Sequence, residues 1–265
     1  MSAMLLAVDI GNTNVVAGIF DGSTLSTHWR LATDPKTTAD EYGVLCLSLM
    51  ARDGRLPAHI TGSIISSVVP ALTETFESMV ETSFGSAPIT VSPDMDTGLT
   101  LKYSNPKEIG SDRIVNAAAA YEKFHRDLII VDFGTATTFC AVNRDGEYLG
   151  GVIAPGLTIS AEALFTRAAK LSKVELARPK TVIGTNTASS IQSGLIFGYA
   201  GLVDTLVQRM EMEMGRTSYV IATGGLASVI APEARSIQHL EPFLTLHGLE
   251  LLYRRARGAS LTQWV

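Results

Sequence analysis

Two kinds of pattern alternate along the chain: short apolar runs ending in turn residues, and longer segments of helical period. Residues 5–8 and 129–131 are apolar runs that end in an acid-X-Gly turn and resume at 15–20 and 138–142, so each pair predicts a β-hairpin. Ala-Val-Asp-Ile-Gly-Asn-Thr-Asn and Ile-Val-Asp-Phe-Gly-Thr-Ala-Thr share a Val-Asp-X-Gly core. Each hairpin is followed by an Asp-Gly turn, Asp21-Gly22 and Asp145-Gly146, which marks a weak internal duplication. Residues 63–69 and 218–225 extend it, as short strands that break into Ser, Thr or Gly before a helical segment. Helical periodicity covers 38–52, 71–83, 111–124, 159–171, 189–214 and 244–256. Strands and helices in alternation predict an α/β protein of two similar halves. The expected boundary gives lobes 1–119 and 120–265, closely packed with a cleft between them because no Pro- or Ser-rich linker separates them.

A chain of 265 residues with 46% apolar content can bury a substantial core. Charged residues are only 18% and the net charge is −5, so nothing draws it globally to nucleic acid or an anionic membrane. The two cysteines, Cys46 and Cys140, sit in apolar settings without metal-ligand spacing. They read as buried free thiols, which favours a reducing cytoplasm. The N-terminal residues show no basic leader or cleavage site, so no export signal is expected. The uncharged run 181–203 is long enough to span a bilayer, but its Asn, Gln, Thr, Ser and Gly content predicts protein interior instead. Within it, Gly194, Gly198 and Gly201 are spaced to give a helix a small-residue face.

The turn Asp9-Ile-Gly-Asn-Thr-Asn carries the strongest local chemistry. Gly11 lets backbone N–H groups approach phosphate oxygens, Asn12 and Thr13 add donors, and Asp9 can hold Mg²⁺, usually through water. Asp132-Phe-Gly-Thr-Ala-Thr-Thr repeats the logic, with Gly134 for close approach and the hydroxyls of Thr135, Thr137 and Thr138 available to phosphate or cation. Either loop alone is equally an ordinary tight turn; two at equivalent places suggest one nucleotide gripped from both sides. Gly-X-X-X-X-Gly-Lys-Ser/Thr and Gly-X-Gly-X-X-Gly are both absent from the sequence. Ala222-Thr223-Gly224-Gly225 follows an apolar strand and opens a helix, where the chain can lie against adenine or ribose. Gly110-Ser111-Asp112-Arg113 starts a helix. Ser111 or Gly110 can cap it, and the same geometry offers a carboxylate able to accept a hydroxyl proton beside a guanidinium that orients a polar substrate. The five histidines form no ligand pair, and no hydrolase elbow surrounds Ser193.

Taken in order, Asp-Ile-Gly-Asn-Thr-Asn, Gly-Ser-Asp-Arg, Asp-Phe-Gly-Thr-Ala-Thr-Thr, Gly-Gly-Val-Ile-Ala-Pro-Gly, Gly-Thr-Asn-Thr and Ala-Thr-Gly-Gly-Leu-Ala resemble type III pantothenate kinases over nearly the whole chain. The resemblance implies two actin-like, ribonuclease H-like lobes with a nucleotide cleft, and ATP-dependent phosphorylation of pantothenate in the first step of coenzyme A synthesis. It implies that Asp9, Ile10, Gly11, Asn12, Thr13, Asn14, Val15 and Val16 form the first ATP-phosphate loop, and that Thr135 contacts ATP in the second, beside Gly134. Asp132 is similar to the family's ligand for a monovalent cation, K⁺ or NH₄⁺. Asp112 is implied to be the proton acceptor, with Gly110, Ser111 and Arg113 lining the pantothenate pocket. Tyr103 and Thr187 resemble further pantothenate contacts. A cytoplasmic homodimer with pantothenate pockets near its interface, binding neither nucleic acid nor membrane, is the implied assembly. Ser111 departs from the Ala or Thr often found in that motif, a change between small residues. Two other readings remain: a kinase of the superfamily acting on another small metabolite, and a regulatory protein resembling accessory transcription factors that binds nucleotide with little turnover.

Overall fold

The computed structural model describes residues 3–168, 171 and 173–258. Those residues divide into two compact units. Unit 1 holds 3–99, Ser104–Lys123 and 244–258; unit 2 holds Thr100–Tyr103 and the described residues of Phe124–Phe243. The division therefore differs from a single cut between residues 119 and 120.

In unit 1, β1 (Met4–Ile10), β2 (Asn14–Asp21) and β3 (Thr24–Ala32) form an antiparallel meander. Parallel strands β4 (Ile60–Ser67) and β5 (Ile89–Thr90) complete the sheet in the order β3-β2-β1-β4-β5. The first hairpin extends beyond the expected 5–8 because Ile10 pairs with Val15, leaving only residues 11–13 to turn. Helices α1 (Ala39–Arg52) and α2 (Pro70–Phe84) bury Tyr42, Cys46, Met50, Leu72, Phe76 and Met79 against Leu6, Val8 and Ile19 of the sheet. Helix α1 begins at a capping box in which Thr38 and Glu41 satisfy each other's backbone N–H groups. Helices α3 (Ser111–Phe124) and α7 (Leu244–Ala256) also belong here. Helix α7 contacts β1, β2 and β4, and the hydroxyl of Thr245 donates to Oδ1 of Asn116 on α3 at 2.8 Å. Gly248 makes this approach possible: a Cβ there would stand 2.5 Å from the carbonyl oxygen of Val115. These contacts place α7 in unit 1 although it follows unit 2 in the chain.

Unit 2 repeats the plan. Strands β7 (Leu128–Phe133), β8 (Ala136–Val142) and β9 (Glu147–Pro155) form the meander, and β10 (Tyr219–Thr223) and β11 (His239–Leu240) continue it in parallel beside β7. The order β11-β10-β7-β8-β9 is that of unit 1 read from the other edge, so the duplication visible in two Val-Asp-X-Gly turns extends through five strands. The short strand β6 (Thr100–Leu101) adds a sixth, parallel to β9. Helix α4 (Leu157–Arg167) stops short of the expected 159–171, of which Ala169 and Lys170 lie outside the described residues. Helix α5 (Thr187–Met214) starts at an Asn186 cap and ends at Gly215 in the left-handed conformation. Helix α6 (Ala227–Ile230) follows β10. By length and composition α5 could cross a membrane. Its buried side chains Ile191, Leu195, Ile196, Tyr199, Val203 and Val207 join the core made by Ile129, Val131, Phe139 and Val220, while the opposite face is exposed. Only one side of this run is therefore interior.

Cys46 and Cys140 are buried free thiols, and burial pushes Cys46 up to about 11. A polar staple joins β3 to the end of α1. Asp53 Oδ2 accepts from Thr27 Oγ1 and Trp29 Nε1, both at 2.7 Å, while Oδ1 accepts from Arg52. The hydrogen bonds from Arg52, Thr27 and Trp29 draw Asp53 down to about 2. A lowered folded-state pKa contributes stability above the unfolded value and loses it as pH falls through the folded one. Asp53→Ala should therefore lower the thermal midpoint by a few degrees at neutral pH, and the gap to the parent should close towards pH 2, as followed by circular dichroism at several pH values.

Candidate active site

In unit 1 the Asp9 turn and the helix carrying Asp112 meet at the carboxyl ends of the parallel strands. Asp9 pairs with Ser66 and Ile10 with Ser67, so β4 runs beside the loop, and the N–H of Val68 donates to the Ile10 carbonyl at 3.0 Å. The Gly11 N–H donates to the Asn14 carbonyl at 3.0 Å, closing the turn, and Thr33 holds it from β3's end through Oγ1 to the Gly11 carbonyl at 2.6 Å. Asn12, Thr13 and Asn14 are exposed; Asp9, Gly11 and Val16 are half-buried. Ile10 and Val15 are wholly buried core residues, so only their backbone can face a ligand.

Ser111 takes a role that sequence reasoning did not assign. Its hydroxyl lies 3.0 Å from Ser66 Oγ and donates to the Ser67 carbonyl at 2.9 Å, instead of capping α3. This pins the start of α3 to the end of β4, one residue before Asp112. Asp112 folds back so that Oδ1 accepts the Arg113 N–H at 2.8 Å. A Cβ on Gly110 would stand 2.5 Å from that oxygen, so the glycine makes room for the carboxylate. Burial pushes the Asp112 carboxyl above the ordinary carboxylate range, against the lowering effect of the Arg113 N–H and guanidinium. Arg113 itself is buried. The arrangement is a fixed, proton-avid carboxylate beside the glycine turn at Asp9.

In unit 2 the second loop lies at the equivalent strand ends. The Gly134 N–H donates to the Ala136 carbonyl at 3.1 Å, a turn like that at Gly11. Asp132 pairs with Thr138 on β8 and with Thr223 on β10, which brings Gly224 onto Asp132 and Phe133. Gly134 and Gly225 are exposed and Thr135 is half-buried. Thr137, read from sequence as an available hydroxyl, is wholly buried, and its Oγ1 has no hydrogen-bond partner among the described residues. Carboxylate and hydroxyl oxygens suit a hard cation, and Asp132 with its threonine neighbours fits that description. Among the described residues no group of three or more His, Cys, Asp or Glu could hold a metal ion, so Mg²⁺ at Asp9 would take its other ligands from phosphate and water. Tyr103, two residues past β6, and Thr187, at the start of α5, both lie in unit 2. Thr187 opens α5 in an open groove of about 630 Å³, lined also by Leu164, Leu171, Gly184 and Ile191.

The doubled β3-β2-β1-β4-β5 sheet, with an acid-X-Gly turn at the equivalent place in each unit, defines an actin-like fold. Solved structures bear out the fold. The chain is similar to a Campylobacter jejuni protein described as a Baf family transcriptional activator (TM-score 0.62, 18% identity, 96% of this chain and 99% of that one). It is also similar to a ROK family glucokinase from Streptomyces griseus (TM-score 0.51, 15% identity, 97% and 100%). The profile of the type III pantothenate kinase family matches residues 5–209. Type III pantothenate kinases of Geobacter sulfurreducens, 54% identical over 96% of this chain and 100% of theirs, and of Myxococcus xanthus, 51% identical over 95% and 98%, align along nearly its whole length. The chain belongs to the type III pantothenate kinase family, and is a kinase of coenzyme A biosynthesis.

Proposed function

We propose that this chain phosphorylates the primary hydroxyl of pantothenate at the expense of ATP, with Asp112 as proton acceptor. The observation that carries the reading is the Asp112 carboxylate, raised by burial and fixed beside the Asp9 loop through Ser111, Ser66 and Ser67. The hydroxyl oxygen attacks the γ-phosphorus in line, its proton passes to Asp112, and the bond to the β–γ bridging oxygen breaks to release ADP. Backbone N–H groups of the Asp9 loop, with Asn12 and Thr13, hold the phosphates. Mg²⁺ at Asp9 and K⁺ or NH₄⁺ at Asp132 supply positive charge to the phosphates when bound. Thr135, Gly224 and Gly225 complete the nucleotide contacts, while Tyr103, Gly110, Arg113 and Thr187 hold the acceptor.

The same reading includes a cytoplasmic homodimer. Buried free thiols support the location. Two features support a second copy: the open groove at Thr187, and the α5 face at Gly194, Gly198 and Gly201, where an added Cβ would meet no atom within 4 Å. A coupled ADP-release assay tests the function. Turnover should require pantothenate, and should rise at least tenfold when Na⁺ is replaced by K⁺ or NH₄⁺. Asp132→Ala should abolish that cation response while leaving the chain folded. A folded parent chain without pantothenate-dependent ADP release would leave the regulatory reading in its place, and cation activation surviving in Asp132→Ala would remove the second assignment.

A further inference from the structure

Tyr103 belongs to a four-residue excursion. The chain on either side of Thr100–Tyr103 is part of unit 1, yet these residues are part of unit 2. What holds them there is β6. Thr100 N–H donates to the Gly146 carbonyl at 2.8 Å and Lys102 N–H to the Tyr148 carbonyl at 2.9 Å, which binds the segment as an edge strand along β9. Lys102 Nζ adds an ion pair to Glu147 Oε1 at 3.2 Å, and Asn143 Nδ2 fixes the other oxygen of that carboxylate at 2.7 Å. Exposed pairs contribute little by themselves, so the two backbone bonds are the main restraint.

Immediately beyond, β9 is irregular. Ala141 pairs with Gly150 but Val142 pairs with Tyr148, so Leu149 is an extra, bulged residue, and Gly150 adopts φ +124. Tyr103 rests on that kink: a Cβ on Gly150 would be 3.7 Å from its Cε2 and 3.8 Å from its Cδ2. The ring of Tyr148, buried and with its hydroxyl 3.5 Å from Cys140 Sγ, stands 6.2 Å from that of Tyr103 at 58°. A half-buried tyrosine is thus set by backbone on one side and an anchored ring on another.

We infer that the β6 ladder and the Gly150 bulge form a positioning device for Tyr103, and that Gly150 and Lys102 are positioning residues for the acceptor substrate. The inference rests on the reading of Tyr103 as an acceptor contact. A fixed ring restricts the acceptor to one pose without touching the reacting oxygen, so its loss should appear in acceptor affinity and leave the chemical step intact.

The test is a steady-state comparison of Tyr103→Ala, Gly150→Ala and Lys102→Pro, each alone and the latter two combined with Tyr103→Ala, with thermal melting to check folding. Alanine at φ +124 is strained, and proline at 102 removes the ladder N–H beside Tyr103. Each single variant should raise the pantothenate KM about tenfold, with kcat and the ATP KM within about twofold of the parent. In the Tyr103→Ala background neither second change should raise KM further. If Gly150→Ala fails to fold, Lys102→Pro carries the comparison. If Tyr103→Ala raises KM and the positioning variants do not, the device is refuted while the contact stands. An unchanged KM in Tyr103→Ala refutes the contact and the inference together. A further rise in the double variants would show that Gly150 and Lys102 act by another route, which also refutes it.

Discussion

Asp112→Asn is expected to lower kcat by a factor of about 10²–10⁴, the usual contribution of a positioned general base, without loss of thermal stability. The two halves of that result have one cause. Burial is the largest influence on the Asp112 carboxyl and favours its neutral form, while the Arg113 N–H and guanidinium act in the opposite direction without overcoming it. Folding therefore takes up a proton at this site over the window between the ordinary carboxylate pKa and the raised one. Because the folded chain binds more protons there, stability falls as pH rises through that window and stays lower above it. Asparagine keeps the shape of the neutral carboxyl and an Oδ1 to accept the Arg113 N–H, so the variant should melt at or above the parent temperature at neutral pH. Catalysis needs the opposite protonation state. In the parent, kcat/KM for pantothenate should rise with pH through the raised pKa of the free enzyme, placing its acid limb above that of a solvent-exposed aspartate. Near-parental turnover in a folded Asp112→Asn chain would exclude it as the base.

The loops at Asp9 and Asp132 were legible in the sequence because a turn is local: acid, X and Gly within a few residues determine where a strand stops. Helices with caps or strong periodicity were legible for the same reason. The third strand of each meander was not. In β3 the alternation of Leu25, Thr27, Trp29 and Leu31 against Ser26, His28 and Arg30 is a weak signal, with a threonine on the inner face and only Trp29 buried, and β9 contains two glycines and ends in proline, which ordinarily argue against a strand. Strand β6, two residues long, exists through its bonds to β9. The return of α7 to unit 1 depends on Gly248 meeting Val115 and Thr245 meeting Asn116, contacts between segments more than a hundred residues apart. The site shows the same limit. Gly110 to Arg113 offered Asp112 as a candidate, but not the Ser111 bond to Ser67, 44 residues away, that fixes where its carboxyl stands. Gly150 offered only a Gly-Gly pair, whose meaning depends on the bulge and on the ring above it.

Gly224→Ala is expected to destabilise the chain by about 3 kcal/mol or more and to remove cation activation in whatever folds. Gly224 has φ +92, and an L-residue forced into a left-handed conformation costs on the order of 1–2 kcal/mol. The contacts add more. A Cβ would stand 2.3 Å from Asp132 Oδ1, 2.7 Å from the Phe133 nitrogen and 2.8 Å from its carbonyl carbon. The carboxylate could rotate away, which would by itself disturb the proposed cation ligand. The Phe133 backbone cannot: β7 is held between β8 and β10, with Asp132 paired to Thr138 on one side and Thr223 on the other. Relief therefore requires the turn after β10 to lift from β7, weakening the Leu226 N–H bond to the Phe133 carbonyl and opening the second loop. For a domain of this size the midpoint should fall by roughly 6–12 °C. Gly85→Ala is the control, since its φ of +77 carries the same conformational cost of about 1–2 kcal/mol while a Cβ there meets nothing within 4 Å, so its K⁺ response should stay that of the parent. Melting curves and K⁺ titrations of both variants separate the cases. A Gly224→Ala protein with the parent's midpoint and K⁺ response would mean that Asp132 does not depend on the close packing of β10's turn.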